Sequence, residues 1–173
     1  MICLKRAVIS VLMILMLLCG CGKNTKTSTP VTKGISFTAD VTYYNENYTC
    51  DVDVNEEGIM SAKVTYPEEL KGVSLTFDGE TVTAEYLGLT YTLKTDTMPL
   101  GNVALSIYKV FTDVTEKGLM AEQNEGNCII ENEVNGEKYE FTFSPSGLPL
   151  ELKIPDKEFK VVFNNVTIKK DKS

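Results

Sequence analysis

Residues 99–117 have the sequence PLGNVALSIYKVFTDVTEK, and they form the one segment whose apolar residues recur at helical spacing. An apolar residue occurs every three or four positions, which places these residues on one face of a helix. Pro99 suits the first turn of a helix, and Gly118 suits its end. The spacing therefore predicts one amphipathic helix, whose apolar stripe consists of Leu100, Val103, Ala104, Ile107, Val110, Phe111 and Val114.

Strands are predicted on both sides of this helix, because apolar and polar residues alternate there with a period of two. The first covers residues 35–43 as ISFTADVTY, and about nine more follow along the chain. The connections between strands are short, and short connections join antiparallel neighbours. Asp78-Gly79 and Asn135-Gly136 are the strongest signals for two-residue turns, which need positive φ at both central positions.

A long antiparallel sheet with one apolar face must curl and cover that face. The predicted fold is therefore α+β and mainly β: a curved half-barrel of about ten strands with one helix packed in its concave face. The side chains that meet between helix and sheet either line a ligand cavity or fill a solid core, since both arrangements obey the same alternation. These candidate residues are Phe37, Tyr43, Val64, Phe77, Tyr86, Tyr91, Ile107, Phe111, Tyr139, Phe141, Phe143, Leu152 and Phe163.

The first residues have the order of a secretory signal peptide, with positive charges, then an apolar stretch, then small residues. Lys5 and Arg6 precede the apolar stretch 7–18. That stretch is shorter than the roughly 20 residues that a membrane-spanning helix needs. We therefore expect residues 1–20 to be a leader that is removed after export.

The end of this leader, Leu18-Cys19-Gly20-Cys21, has the order aliphatic, variable, small, cysteine of a bacterial lipoprotein signal. In such a signal the cysteine thiol accepts diacylglycerol, whose two acyl chains are enough for stable anchoring. We expect lipid on Cys21, a flexible tether over residues 21–33 and a single β-rich domain over residues 34–173. The domain would then be held at the extracytoplasmic face of the cell membrane.

The composition argues against several classes of function. Lys and Arg number 17 against 24 Asp and Glu, so the formal net charge is −7, which disfavours nucleic acid as a partner. The sequence has no histidine, the commonest general base and metal ligand. Asp51, Asp53 and Asn55 have the spacing of a calcium loop, but they alternate with apolar residues as the polar face of a strand does. We expect no enzymatic activity, no cofactor and no metal.

Two cysteines, Cys50 and Cys128, lie in the predicted domain. Two cysteines in an exported protein can form a disulfide. Both lie in the apolar phase of their strands, and a free cysteine packs as a small hydrophobic residue. A disulfide and two buried thiols therefore both fit the sequence.

The chain resembles the LolA/LolB-like superfamily of lipoprotein-carrier and lipid-binding folds, and in pattern it is similar to small lipoproteins of Firmicutes. The features that carry this resemblance are Cys21, the strand ISFTADVTYY at 35–44, the segment VTYPEELKGVSLTFDGETV at 64–82 and the closing YEFTFSPSGLPLELKIP at 139–155. The resemblance implies a hydrophobic cavity between sheet and helix that holds acyl chains. The chain departs from the family pattern in that one helix alone is available as a cover.

Two functions follow as expectations. The first is non-enzymatic binding of a hydrophobic ligand, such as lipid, in a cavity between sheet and helix. The alternative is an envelope protein–protein interaction module with a solid core and no ligand cavity. The packing around Phe111 and Ile107 distinguishes these two functions. A ligand cavity would leave empty space beside these side chains, whereas a solid core would not.

Overall fold

A computed structural model of the chain describes residues 27–94, 99–124 and 126–169. Within these residues, twelve strands form one antiparallel sheet, and one α-helix, α1, spans Pro99–Glu116. Short 3₁₀ turns occupy Glu68–Leu70 and Pro155–Lys157. The strands are β1 Thr27–Ser28, β2 Ile35–Tyr43, β3 Glu46–Val54, β4 Met60–Tyr66, β5 Ser74–Phe77, β6 Thr81–Tyr86, β7 Leu89–Lys94, β8 Ala121–Asn124, β9 Asn127–Val134, β10 Glu137–Phe143, β11 Pro149–Ile154 and β12 Phe159–Ile168.

The strand order places the two strands that flank α1 near opposite edges of the sheet. From one edge to the other, the order is β1, β8, β9, β10, β11, β12, β2, β3, β4, β5, β6, β7. Because β7 precedes α1 and β8 follows it, the helix must cross the sheet. It does so on the concave face, where its apolar stripe meets the sheet's apolar face. The predicted fold class, a curved antiparallel sheet with one helix in its concave face, is confirmed.

One apolar core joins sheet and helix. In β2 the alternate residues Ile35, Phe37, Ala39 and Val41 are buried, as the period-two pattern predicts. The apolar stripe of α1 is buried against them from Val103 to Val114. The side chain of the first stripe residue, Leu100, lies outside the described part of the chain.

The structure has two strands more than the sequence predicts. β1 and β8 contain two and four residues and pair with each other. Strands this short are too brief for an apolar alternation to be visible, which explains why the sequence pattern misses them.

Part of the predicted tether belongs to the folded structure. Residues 27–28 of the predicted tether form β1. The Val31 N–H donates a hydrogen bond to the Gly147 carbonyl at 2.8 Å. Thr32 is buried, and its Oγ1 lies 2.5 Å from Oγ1 of Thr115 on α1. The described structure thus includes residues 27–33, ahead of the predicted boundary at Gly34. The remaining leader and tether, residues 1–26, lie outside the described part.

The two turn predictions have different outcomes. Asn135-Gly136 is a two-residue turn with φ of 54° and 81°, as predicted. Asp78-Gly79 is part of a three-residue connection instead, because the Asp78 carboxylate accepts hydrogen bonds from the N–H groups of Glu80 and Thr81 at 3.0 and 2.8 Å. The Asp78 side chain thus accepts hydrogen bonds that a backbone carbonyl would accept in a tighter turn.

Candidate functional site

The predicted interior residues form a filled core in the middle of the sheet. Ten of the thirteen are at most 5 % exposed. Side chains this buried are closely packed against their neighbours, as in a solid core. These ten are Phe37, Val64, Phe77, Ile107, Phe111, Tyr139, Phe141, Phe143, Leu152 and Phe163.

Phe111 of α1 occupies the centre of this core. Its ring centroid lies 5.9 Å from that of Phe37, 5.6 Å from that of Phe141 and 5.8 Å from that of Phe163. Phe37 and Phe163 also meet edge to face at 5.1 Å. These separations are those of favourable aromatic pairs. The helix therefore fills the concave face with its own aromatic side chain.

Three predicted interior residues lie outside this core. Tyr43 is half-buried, with its ring 6.2 Å from that of Phe159. Tyr86 and Tyr91 are 39 % and 58 % exposed, so their interior assignment is wrong. Both follow the inward phase of their strands, since Tyr91 pairs with the buried Ala84. They are exposed because α1 does not cover this end of β6 and β7.

The uncovered end of the β6–β7 hairpin forms an apolar surface, which we call the hairpin surface and define as Tyr86, Leu87, Leu89 and Tyr91. Leu87 and Leu89 are 84 % and 56 % exposed. Leu87 also has φ of 51°, a left-handed conformation that costs an ordinary L-residue about 1–2 kcal/mol. Asparagine or glycine is the usual choice at such a position, so folding does not explain a leucine there. Leu87 and Leu89 are not among the site residues predicted from the sequence, although an apolar residue at a turn position is a signal that could have indicated them.

Asp113 links α1 to the sheet through a buried polar network. It is 7 % exposed, and its Oδ2 accepts hydrogen bonds from the Tyr139 hydroxyl at 2.7 Å and the Asn132 amide at 3.0 Å. Lys117 Nζ lies 2.6 Å from the other oxygen, Oδ1. Burial, and then the hydrogen bond to Asp113, raises the pKa of the Tyr139 hydroxyl. Both oxygens of the carboxylate thus have partners, and Oδ2 links the helix to the sheet.

The two cysteines are free, buried thiols, so the alternative of a disulfide is not realised in this structure. Cys50 lies on β3 and Cys128 on β9, with four strands between them in the sheet. Burial and the neighbouring Asp51 charge raise the pKa of Cys50 to about 11. A thiol with that pKa is almost wholly protonated near neutral pH and is unreactive.

A small pocket opens beside the C-terminal half of α1. It has a volume of about 120 Å³, which corresponds to about four water molecules at roughly 30 Å³ each. Val54, Met60 and Phe111 supply apolar lining, and Lys33 and Glu57 contribute charged groups. The pocket has room for a small group next to the core.

No group of His, Cys, Asp or Glu among the described residues is arranged to hold a metal ion. The calcium-like spacing at Asp51 and Asp53 belongs to the polar face of β3, as the alternation predicts. Asp51 accepts a hydrogen bond from Thr38 Oγ1 at 3.2 Å, and Asp53 lies 2.5 Å from Lys169 Nζ. In the same described ranges, no helix is long and apolar enough to cross a membrane. Cys21, the predicted lipid site, lies outside them.

No protein-family model matches the sequence, and no curated protein matches it. Among solved structures, the chain is similar to a LolA superfamily protein from Nitrosomonas europaea, with a TM-score of 0.40 and 10% sequence identity. The match covers 79% of this chain and 85% of that chain. The similarity is one of overall fold.

Proposed function

We propose that this chain is an extracytoplasmic lipoprotein, attached to the cell membrane through lipid on Cys21, that binds an apolar partner on its surface without chemical catalysis. The proposal that the chain binds a partner depends on one observation, the distribution of apolar surface. The concave face is filled by α1, whereas the hairpin surface is exposed and strained. The attachment part rests on the leader and on Leu18-Cys19-Gly20-Cys21.

The energetics favour a role in binding for the hairpin surface. Full burial of a leucine side chain stabilises a complex by about 1.5–3 kcal/mol, and tyrosine adds large area at low cost in side-chain entropy. Leu87, Leu89 and Tyr91 together therefore offer several kcal/mol to a partner that covers them. Contiguous exposed apolar residues of this kind mark interaction sites.

Attachment is tested by the full chain expressed in a bacterial host with labelled palmitate. We expect label in the wild type and in Cys19→Ser, and no label in Cys21→Ser, which also leaves the membrane fraction. Cys19→Ser is the matched control, because it changes a cysteine at the variable position of the same motif. Equal labelling of Cys21→Ser contradicts the anchor.

Surface binding is tested by placing a photo-crosslinking phenylalanine derivative at position 91 in the full chain in its membrane. The matched control places it at Tyr44, which is 56 % exposed and lies in the β2–β3 turn, away from the hairpin surface. We expect one discrete adduct from position 91 and none from position 44. The absence of any adduct specific to position 91 contradicts surface binding.

A second candidate function is binding of an acyl chain between α1 and the sheet, which the pocket beside Phe111 favours. At about 120 Å³ the pocket holds a group no larger than a small ring, so a longer chain requires α1 to move outward. Native mass spectrometry of the chain purified from membranes in mild detergent tests this candidate. Phospholipid or fatty acid retained in stoichiometric amount supports it, and a lipid-free mass beyond the Cys21 anchor contradicts it.

A further inference from the structure

We propose that the open edge of β7 pairs with β7 of a second copy of this chain, so that the two sheets join antiparallel about a two-fold axis at Tyr91. This inference deepens the proposed function and rests on it in one respect, since it names a second copy as the partner of the hairpin surface. The backbone of β7, its residue order and its two faces each support the pairing.

Within the part of the chain that the structure describes, β7 is an edge strand without the usual protection. Among the described residues its one neighbour is β6, to which it pairs over six residues with no register shift. Natural edge strands are shortened, bulged, covered, or interrupted by proline and charge. β7 contains no proline, and its single charged residue, Lys94, lies at its end. An edge of this kind accepts another strand readily.

The backbone of β7 directs hydrogen-bonding groups toward this edge. Tyr86 and Leu89 flank the two-residue turn Leu87-Gly88 and pair directly with each other. In such a hairpin the hydrogen-bonded pairs alternate along the ladder, starting at the pair beside the turn. The N–H and C=O groups of Thr90 and Thr92 therefore point away from β6, where a further strand would meet them.

The sequence of this edge is self-complementary. Residues 89–93 read Leu-Thr-Tyr-Thr-Leu, which is the same in both directions. In a two-fold antiparallel pair centred on Tyr91, Thr90 faces Thr92 of the second copy and Leu89 faces its Leu93. The edge-directed groups of Thr90 and Thr92 then form hydrogen-bonded pairs, and the two Tyr91 residues form the closer, non-hydrogen-bonded pair. A two-fold interface must be self-complementary in this way.

Both faces of the sheet continue across such a junction. On the inward face, Leu89 and Tyr91 are both more than half exposed, and across the junction they lie beside Leu93 and Tyr91 of the second copy. On the outward face, hydroxyl pairs already cross neighbouring strands, as in the 3.3 Å contact between Thr83 and Thr92. Thr90 of the second copy extends that row by one position. Cross-strand hydroxyl pairs and aromatic pairs each contribute favourably to sheet pairing.

The charges near the junction are complementary. Glu85 pairs with Thr90 and lies on the outward face of β6. Because Thr90 faces Thr92 of the second copy, Lys94 of that copy lies two residues further along on the same outward face. Lys94 of each copy is thus brought toward Glu85 of the other, and no like charges oppose each other in the ladder.

Cysteine crosslinking of the full, membrane-bound chain tests both the pairing and its register. Directly opposed residues of a non-hydrogen-bonded antiparallel pair have Cα atoms about 4.5 Å apart, within the range of a disulfide. We therefore expect Tyr91→Cys to form a disulfide-linked dimer spontaneously. Thr90→Cys is the matched control, because in this register the two copies of residue 90 are about 8 Å apart, too far for a disulfide. Differently tagged Thr90→Cys and Thr92→Cys chains, expressed together, should crosslink to each other.

The outcomes separate this inference from the proposed function. Crosslinking of Tyr91→Cys that is no stronger than that of Thr90→Cys overturns the self-pairing. If position 91 instead gives adducts with lipid or with a different protein, the second copy is wrong as the partner while surface binding stands. If position 91 gives no adduct at all, both the self-pairing and the proposed surface binding are contradicted.

A charge variant tests the same interface without cysteine. Tyr91→Lys places two lysines opposite each other on the two-fold axis, where like charges destabilise pairing. Tyr44→Lys changes a similarly exposed tyrosine in the β2–β3 turn and is the control. In mild detergent, native mass spectrometry should show dimers for the wild type and Tyr44→Lys, and monomers for Tyr91→Lys. Monomeric wild type, or a dimer that survives Tyr91→Lys, contradicts the proposal.

Discussion

Replacement of Asp113 by alanine should be among the most destabilising single changes in this chain. The carboxylate is buried and holds Tyr139, Asn132 and Lys117 at 2.7, 3.0 and 2.6 Å. Its removal leaves the buried Tyr139 hydroxyl and the Asn132 amide without their acceptor and removes this polar link between α1 and strands β9 and β10. Breaking a buried charged network costs about 3–5 kcal/mol. For a domain of this size, that lowers Tm by about 6–20 °C, at roughly 2–4 °C per kcal/mol.

Urea denaturation of the purified chain, followed by far-UV circular dichroism, measures this loss directly. Tyrosine fluorescence serves as the second probe, because the sequence has no tryptophan. Asp156→Ala, which removes an exposed aspartate from a 3₁₀ turn, should leave the free energy of unfolding nearly unchanged. Tyr139→Phe should cost about 1.5–3 kcal/mol, and the double variant should cost less than the sum of the two. A loss below about 1 kcal/mol for Asp113→Ala, or strict additivity, would refute this account of the helix–sheet link.

Four further outcomes are expected. Phe111→Ala should lower the free energy of unfolding by about 3–5 kcal/mol, measured by the same denaturation, because it opens a void among three aromatic rings. Leu87→Asn should raise it by about 0.5–1 kcal/mol, since asparagine tolerates the positive φ at this position. Burial alone would raise the pKa of Glu151, but Lys153 and Lys160 outweigh it and lower the pKa. The stability difference between wild type and Glu151→Gln should therefore be present above pH 4.5 and disappear as the pH falls through the lower folded-state pKa, as seen in denaturation series at several pH values. Cys50 should react with a thiol reagent at neutral pH only when the chain is unfolded, which mass spectrometry detects.

The sequence predicts the structure best where the local pattern of residue types agrees with the pattern of burial. Residues 35–43 alternate in composition, and the same residues alternate in burial, because one side of β2 packs against the core. Asn135-Gly136 forms the predicted turn, since no neighbouring side chain competes for its backbone. At Asp78 a side chain does compete, and the connection is longer than predicted.

Other features depend on contacts that no local pattern encodes. The alternation puts Tyr86 and Tyr91 in the same phase as Phe77, yet Phe77 is buried beneath α1 and the tyrosines are exposed. Which residues the helix covers depends on where it crosses the sheet, and this follows from the order of all twelve strands. The burial of Asp113 depends on topology in the same way. In the sequence Asp113 is one polar residue of an amphipathic helix, and the strand order brings its partners on β9 and β10 to it.

The exposed hairpin surface is a consequence of this connectivity. From β7 to β8 the sheet contains ten strand spacings, an arc of about 48 Å at roughly 4.8 Å each. Bent into a half circle, that arc has a diameter of about 31 Å, whereas the 18 residues of α1 extend about 27 Å. The hydrogen bonds of Asp113 to Asn132 of β9 and Tyr139 of β10 hold the C-terminal half of α1 at that side of the sheet. Any part of this width that the helix does not span therefore lies toward β7, where Tyr86 and Tyr91 are exposed.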